Sequence, residues 1–172
     1  MLPKRVLVLG GASSGKSAYA ENLCVSSGLT RAYIATAQIW DDEMKTKVDR
    51  HKDMRGNDWT TFEAHSSLEI LRDMDPDCVV LLDCLTMWLN NQMMADRDIW
   101  AAWDSDADHI AACPARLVMV SNDVGQGIVP DNALARQFRD AQGKLNQRVA
   151  AQSDLVVNVI AGLPQILKGQ LP

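Results

Sequence analysis

Residues 10–17 read GGASSGKS and satisfy G-x-x-x-x-G-K-[S/T] at every defined position. Each residue type suits phosphate chemistry. Gly10, Gly11 and Gly15, with Ala12, Ser13 and Ser14 between them, let the backbone curl so that its N–H groups face phosphate oxygens. A helix starting at this point adds its positive dipole end. Lys16 can reach the β- and γ-phosphates of a nucleoside triphosphate, and the Ser17 hydroxyl can ligate Mg²⁺. Such a loop works with an acid at the end of another strand. Asp83 follows the apolar run Val79–Leu82 and offers hard carboxylate oxygens to magnesium, directly or through water. The competing reading of Asp83 is a helix cap without metal.

A second group of residues centres on His51, one of three histidines with His65 and His109. His51 lies in VDRHKDMRG, and helical spacing places it on one face with Met44 and Val48. That spacing alone favours packing. Its neighbours Lys47, Arg50, Lys52 and Arg55, however, are basic in a chain of net charge -5. Such a cluster can hold a second set of phosphates. A bland solvated helix face would also look like this.

The elements that must carry these residues alternate. RVLVLGG reads as a buried strand running into a tight loop, and KSAYAENLCVSSG as a helix stopped near Gly28. RAYIATA is a second strand. Residues 41–55 read as a helix opened by Asp41 and Asp42 and stopped at Gly56. A helix in this position starts near the sheet edge that holds the phosphate loop. SLEILRDM reads as a short helix, DCVVLLDCL as a strand covered on both faces, and residues 87–112 as mostly helical. ARLVMVSND is a further strand. From Asp131 a long amphipathic helix carries Leu134, Phe138, Leu145 and Val149 as its apolar stripe. DLVVNVIAG is the last expected strand. The order implies an α/β fold of the P-loop NTPase type: a mainly parallel sheet flanked by helices, in one domain spanning residues 1–172.

Bulk properties narrow the function. The 47% of apolar residues, without a low-complexity tract, indicates a folded domain. The acidic balance argues against general nucleic-acid binding. No apolar run approaches the ~18 residues of a membrane span. Cys24, Cys78, Cys84 and Cys113 form no C-x-x-C pair and no zinc spacing, which implies free thiols in a reducing cytoplasm. No N-K-x-D segment for guanine is present.

Seven segments in order carry a more specific signal: GGASSGKS, YIATAQIWDDEM, RHKDMR, WTTFE, LLDCLTMWLNN, VSNDVGQGIVPDNALARQFRDAQGKLNQRVA and VNVIAGLPQILKG. Together they resemble the bifunctional adenosylcobinamide kinase/adenosylcobinamide-phosphate guanylyltransferase family of cobalamin biosynthesis, over essentially the whole chain. The resemblance implies two reactions. ATP or GTP phosphorylates the aminopropanol hydroxyl of adenosylcobinamide. GTP then donates GMP to that phosphate through a guanylyl-histidine, giving adenosyl-GDP-cobinamide and pyrophosphate. Here the matching histidine is His51, since the preceding position is Arg50. A neutral imidazole is a competent nucleophile near pH 7.

The same resemblance places Ala35, Thr36 and Ala37 along the nucleotide site, Lys52, Asp53, Met54 and Arg55 beside bound guanylate, and Glu63 and Asp83 at acidic site positions. Ser13 departs from the family, where a basic residue is common, and residues 92–110 match it poorly. The implied partners are the corrinoid substrate, the nucleotides with Mg²⁺, and further copies of the chain in a homo-oligomer, a trimer being the candidate order. The loop SNDVGQGIVP lies at a strand's carboxyl end, where ligands bind α/β proteins, or is a purely structural turn. The Trp-rich stretch with Trp88, Trp100 and Trp103 supplies either a subunit contact or core. Two other classes fit the phosphate loop alone: a small-molecule kinase without transferase activity, and a nucleotide-switched binding ATPase.

Overall fold

The computed structural model describes residues 1–38 and 58–171. The helix expected over residues 41–55, with His51, Lys52, Asp53, Met54 and Arg55, lies outside the described residues.

The described strands are β1 (Arg5–Gly10), β2 (Thr30–Ala35), β3 (Trp59–Glu63), β4 (Cys78–Asp83), β5 (Arg116–Asn122), β6 (Leu155–Ile160) and β7 (Leu163–Lys168). They form a seven-stranded sheet in the order β3-β2-β4-β5-β1-β6-β7. Every pairing is parallel except β6 with β7. The parallel α/β architecture expected from the alternation is therefore present. Four α-helices stand among the described residues: α1 (Lys16–Ser26), α2 (Leu85–Met94), α3 (Ile99–Ala112) and α4 (Ala133–Gln152).

Period-two alternation divides the strand side chains between two cores. Leu7, Val80, Leu82, Leu117 and Met119 pack with Leu85, Trp88, Leu89, Trp103 and Leu145, so α2, α3 and α4 cover this face. Val6, Val8, Val79, Leu81, Val118 and Val120 pack with Ala20 and Cys24 of α1 on the other. Both faces are buried, which explains why these strands read as continuous apolar runs.

Three expectations change. SLEILRDM holds only a 3₁₀ turn, Glu69–Asp73. WTTFE, to which no element was assigned from the sequence, is an edge strand. DLVVNVIAG is not the last strand, because the chain reverses at Ala161 and Gly162 and adds β7 antiparallel to β6. Pro164 within that run obscured it; an edge strand tolerates a proline. The long helix starts two residues later than expected, capped by Asn132, whose Oδ1 accepts the Ala135 N–H at 2.7 Å.

Trp88 and Trp103 are core, in an edge-to-face pair with centroids 5.6 Å apart. The buried Asp106 carboxylate holds this region together. It accepts Trp88 Nε1–H at 2.7 Å and the Leu68 N–H at 2.8 Å. Trp100 is partly buried against the same core, with the Arg148 guanidinium 4.4 Å from its ring.

Candidate active site

Sheet register brings the sequence-selected residues to one edge. Glu63 is opposite Ala35, Ala35 opposite Asp83, and Asp83 opposite Val120, all at the carboxyl ends of β3, β2, β4 and β5. β1 ends on the same edge at Gly10, opposite Asn122. The phosphate loop follows immediately, so a nucleotide cradled there faces the ends of these strands.

The loop's shape depends on its glycines and on β7. Gly15 has φ 93°, in the left-handed region that side chains disfavour, and a Cβ there would meet Gly162 Cα at 3.1 Å. A Cβ on Gly10 would meet the Ser14 hydroxyl and the Val159 carbonyl oxygen. The Gly162 N–H donates to the Ser14 carbonyl at 2.8 Å. The β6–β7 turn thus braces the phosphate loop from behind. Ser13 is also at positive φ, 55°, and exposed with Ala12 at the tip. Ser17 is half-buried in the first turn of α1.

Lys16 folds back over the loop, and its Nζ donates to the Gly11 carbonyl at 2.9 Å. Burial lowers its pKa from the ordinary 10.5, while the neighbouring Cys84 and Asp83 pull the other way. Its charge is thus incompletely compensated, which favours an incoming polyphosphate. Asp83 itself accepts the Tyr33 hydroxyl hydrogen at 3.0 Å on Oδ2. Tyr33 was not selected from the sequence. Only its register on β2, two residues before Ala35, could have shown it.

Thr36 is fully buried and frames the site through a paired contact. Its Oγ1 donates to the Cys84 carbonyl at 2.7 Å and accepts the Cys84 N–H at 2.8 Å. The Asp83–Cys84 peptide is cis. The Thr36 carbonyl accepts an Asn91 Nδ2 hydrogen at 2.7 Å, tying α2 to the end of β2. His65 Nδ1 lies 3.3 Å from the same carbonyl, and its Nε2 lies 3.4 Å from Glu63 Oε2. Glu63 is solvent-exposed, and Ala35 and Ala37 are half-buried beside it on this edge. The loop after β5 is tethered as well. The Asp123 N–H donates to the Gly10 carbonyl at 3.1 Å, and the Asn122 N–H to Thr86 Oγ1 at 2.9 Å.

The donor set fits magnesium in kind: a serine hydroxyl and a carboxylate are hard oxygen ligands. Among the described residues no three His, Cys, Asp or Glu side chains converge into a metal site of their own. A cation held here therefore takes most of its ligands from nucleotide phosphates and water. The four thiols are free and buried. Burial pushes Cys24 and Cys84 up to about 12 and Cys78 up to about 11.

A mainly parallel sheet with a Walker-type loop after β1, a reaching lysine and an acid at the end of β4 defines a P-loop nucleotide-binding enzyme. The chain belongs to the cobinamide kinase / cobinamide phosphate guanyltransferase family, whose sequence model matches residues 6–167. It is 44% identical to the bifunctional adenosylcobalamin biosynthesis protein CobU of Salmonella typhimurium, over 92% of this chain and 96% of that one. It is 40% identical to the Escherichia coli protein of the same name, with the same coverage of each chain. The bifunctional adenosylcobalamin biosynthesis protein CobP of Pseudomonas aeruginosa is 38% identical over 96% of this chain and 98% of its own.

Proposed function

We propose that this chain, acting as one domain, first phosphorylates the aminopropanol hydroxyl of adenosylcobinamide and then guanylylates the product. In the first step the hydroxyl oxygen attacks the γ-phosphorus of ATP or GTP. The bond to the β,γ-bridging oxygen breaks, the nucleoside diphosphate leaves, and the hydroxyl proton is released. Lys16 and the backbone N–H groups of residues 11–17 hold the phosphates in line and stabilise the charge that develops on them. Ser17 and Asp83 would hold a magnesium ion entering with the nucleotide, which would supply further charge neutralisation.

In the second step an imidazole nitrogen of His51 attacks the α-phosphorus of GTP, and pyrophosphate leaves from the same cradle. A phosphate oxygen of adenosylcobinamide phosphate then attacks the phosphoramidate, releasing His51 and forming adenosyl-GDP-cobinamide. Lys52, Asp53, Met54 and Arg55 flank the guanylate, while Ala35, Thr36, Ala37 and Glu63 line the adjoining edge. The observation that carries this reading is the gathering of Lys16, Asp83, Thr36 and Glu63 at one sheet edge, beside a loop shaped for phosphate. The chain works in the cytoplasm as a homo-oligomer, with a trimer as the expected order.

The test is product analysis. Purified protein with adenosylcobinamide, GTP and Mg²⁺ should yield the phosphate and then the GDP derivative by mass spectrometry. Accumulation of the phosphate alone would reduce the chain to a kinase, and no corrinoid product would refute the proposal.

A further inference from the structure

A cavity of about 460 Å³ opens between α2 and the first turns of α4, at the carboxyl edge of the sheet. Met93, Met94, Val124, Pro130, Leu134 and Phe138 make its apolar wall. Asn90, Asn132 and Arg139 add polar groups, and the Arg139 Nη1 is shielded from solvent without a hydrogen-bond partner. Two residues before Pro130 of the lining, in the loop between β5 and α4, Ile128 is 97% exposed. A soluble chain rarely presents such a loop and such a hollow side by side without a ligand for them.

Its position is tied to the phosphate loop. Val124 follows Asp123, whose N–H is bonded to the Gly10 carbonyl. Asn90 stands one helical turn beyond Thr86, which holds the Asn122 N–H. The cavity's loop is therefore tethered to the residue that opens the phosphate loop, and its helix α2 to the end of β5 beside it. Val124 and Pro130 belong to the loop SNDVGQGIVP, which the sequence offered as either a ligand loop or a structural turn; the residues from α2 and α4 were not selected from the sequence as site residues.

We infer that this cavity seats one edge of the corrinoid acceptor. The inference rests on the proposed function, because it assigns the second substrate of that site. A corrin edge carries methyl groups and short carboxamide arms. The methyl groups match the Met/Leu/Phe wall, and the arms match Asn90, Asn132 and the unpaired Arg139 N–H. A volume of this size takes one edge and its arms, leaving the rest of the macrocycle outside against Ile128 and Val129. Held so, the aminopropanol arm can extend toward the phosphate loop.

The test uses the full chain and dicyanocobinamide as a coloured probe, measured by equilibrium dialysis. Ala135→Trp fills the cavity from α4. Leu134→Asp, at an already exposed position, places a charge on its wall without touching the core. Each should weaken dicyanocobinamide binding at least tenfold, while covalent labelling of the protein by α-³²P-GTP stays within twofold. Unchanged corrinoid binding in a folded Leu134→Asp protein would overturn the inference, as would wild-type protein that binds no corrinoid. A loss of labelling in step with corrinoid binding would also overturn it. So would a change of sedimentation coefficient, which would assign the face to a second copy of the chain. Wild-type protein that binds the corrinoid but makes no product would leave the cavity assigned and refute the proposed function instead.

Discussion

Thr36→Val isolates the contact that locks the end of β2 to the peptide after Asp83. The two side chains are nearly isosteric, so the change removes a hydroxyl and little else. The consequences can be counted. The Cys84 carbonyl keeps a partner, because the Trp88 N–H also donates to it at 3.1 Å. The Cys84 N–H loses its acceptor, which lay at 2.8 Å in a fully buried position. One orphaned buried N–H costs about 1–3 kcal/mol. The expected loss is therefore ~2 kcal/mol, which for a chain of this size lowers Tm by about 4–8 °C. Urea unfolding should show the midpoint falling with the m-value unchanged. Thr36→Ser keeps the hydroxyl, gives up one methyl group and should lose only ~1 kcal/mol. A loss below ~0.5 kcal/mol in Thr36→Val, or a larger loss in Thr36→Ser, would refute the accounting.

Further outcomes follow from the site. Lys16→Ala should reduce kinase turnover and guanylate labelling together, each by about 10²–10³-fold, since both draw on one cradle; survival of either activity would separate the two sites. Because burial lowers the Lys16 pKa, its charge is complete below the depressed value and lost as pH rises through it, so ATP affinity should decline before pH 10.5. That decline should be absent in Lys16→Ala. Asp83→Asn should depress activity steeply and respond to raised Mg²⁺ or to Mn²⁺; an unchanged metal dependence would confine Asp83 to its contact with Tyr33. The thiols, buried and with pKa values pushed up to about 11 or 12 at Cys24, Cys78 and Cys84, should react with a disulfide reagent only after unfolding. A thiol that reacts rapidly in the native protein would contradict this.

Much of the fold was legible because its signals are local. The buried parallel strands are continuous apolar runs, and the phosphate loop is defined by spacing. Asp83 stands out as the first charge after such a run. What escaped depends on partners distant in sequence. The Gly162 brace behind Ser14 joins residues 148 positions apart, and nothing in GGASSGKS implies it. Pro164 disguised β7, and the five residues of β3 are too few to separate an edge strand from a loop. The cavity beside α2 combines apolar residues from α2, α4 and the loop SNDVGQGIVP, and only that loop was offered by the sequence as a place for a ligand. His51 is the reverse case. Its spacing with Met44 and Val48 suggested packing, while its basic neighbours, its place after the second strand and the resemblance carried by RHKDMR suggested chemistry; the residue itself lies outside the described residues.

The covalent step is the centre of the account, and radiolabelled GTP tests it directly. Protein incubated with α-³²P-GTP and Mg²⁺ should retain label after denaturation, and protein incubated with γ-³²P-GTP should not. The bond should be labile to acid and stable to base, as a phosphoramidate is. In His51→Ala the label should vanish while phosphorylation of adenosylcobinamide continues, because that reaction needs no covalent intermediate. Label that persists in His51→Ala, or that comes equally from the γ-position, would contradict the account.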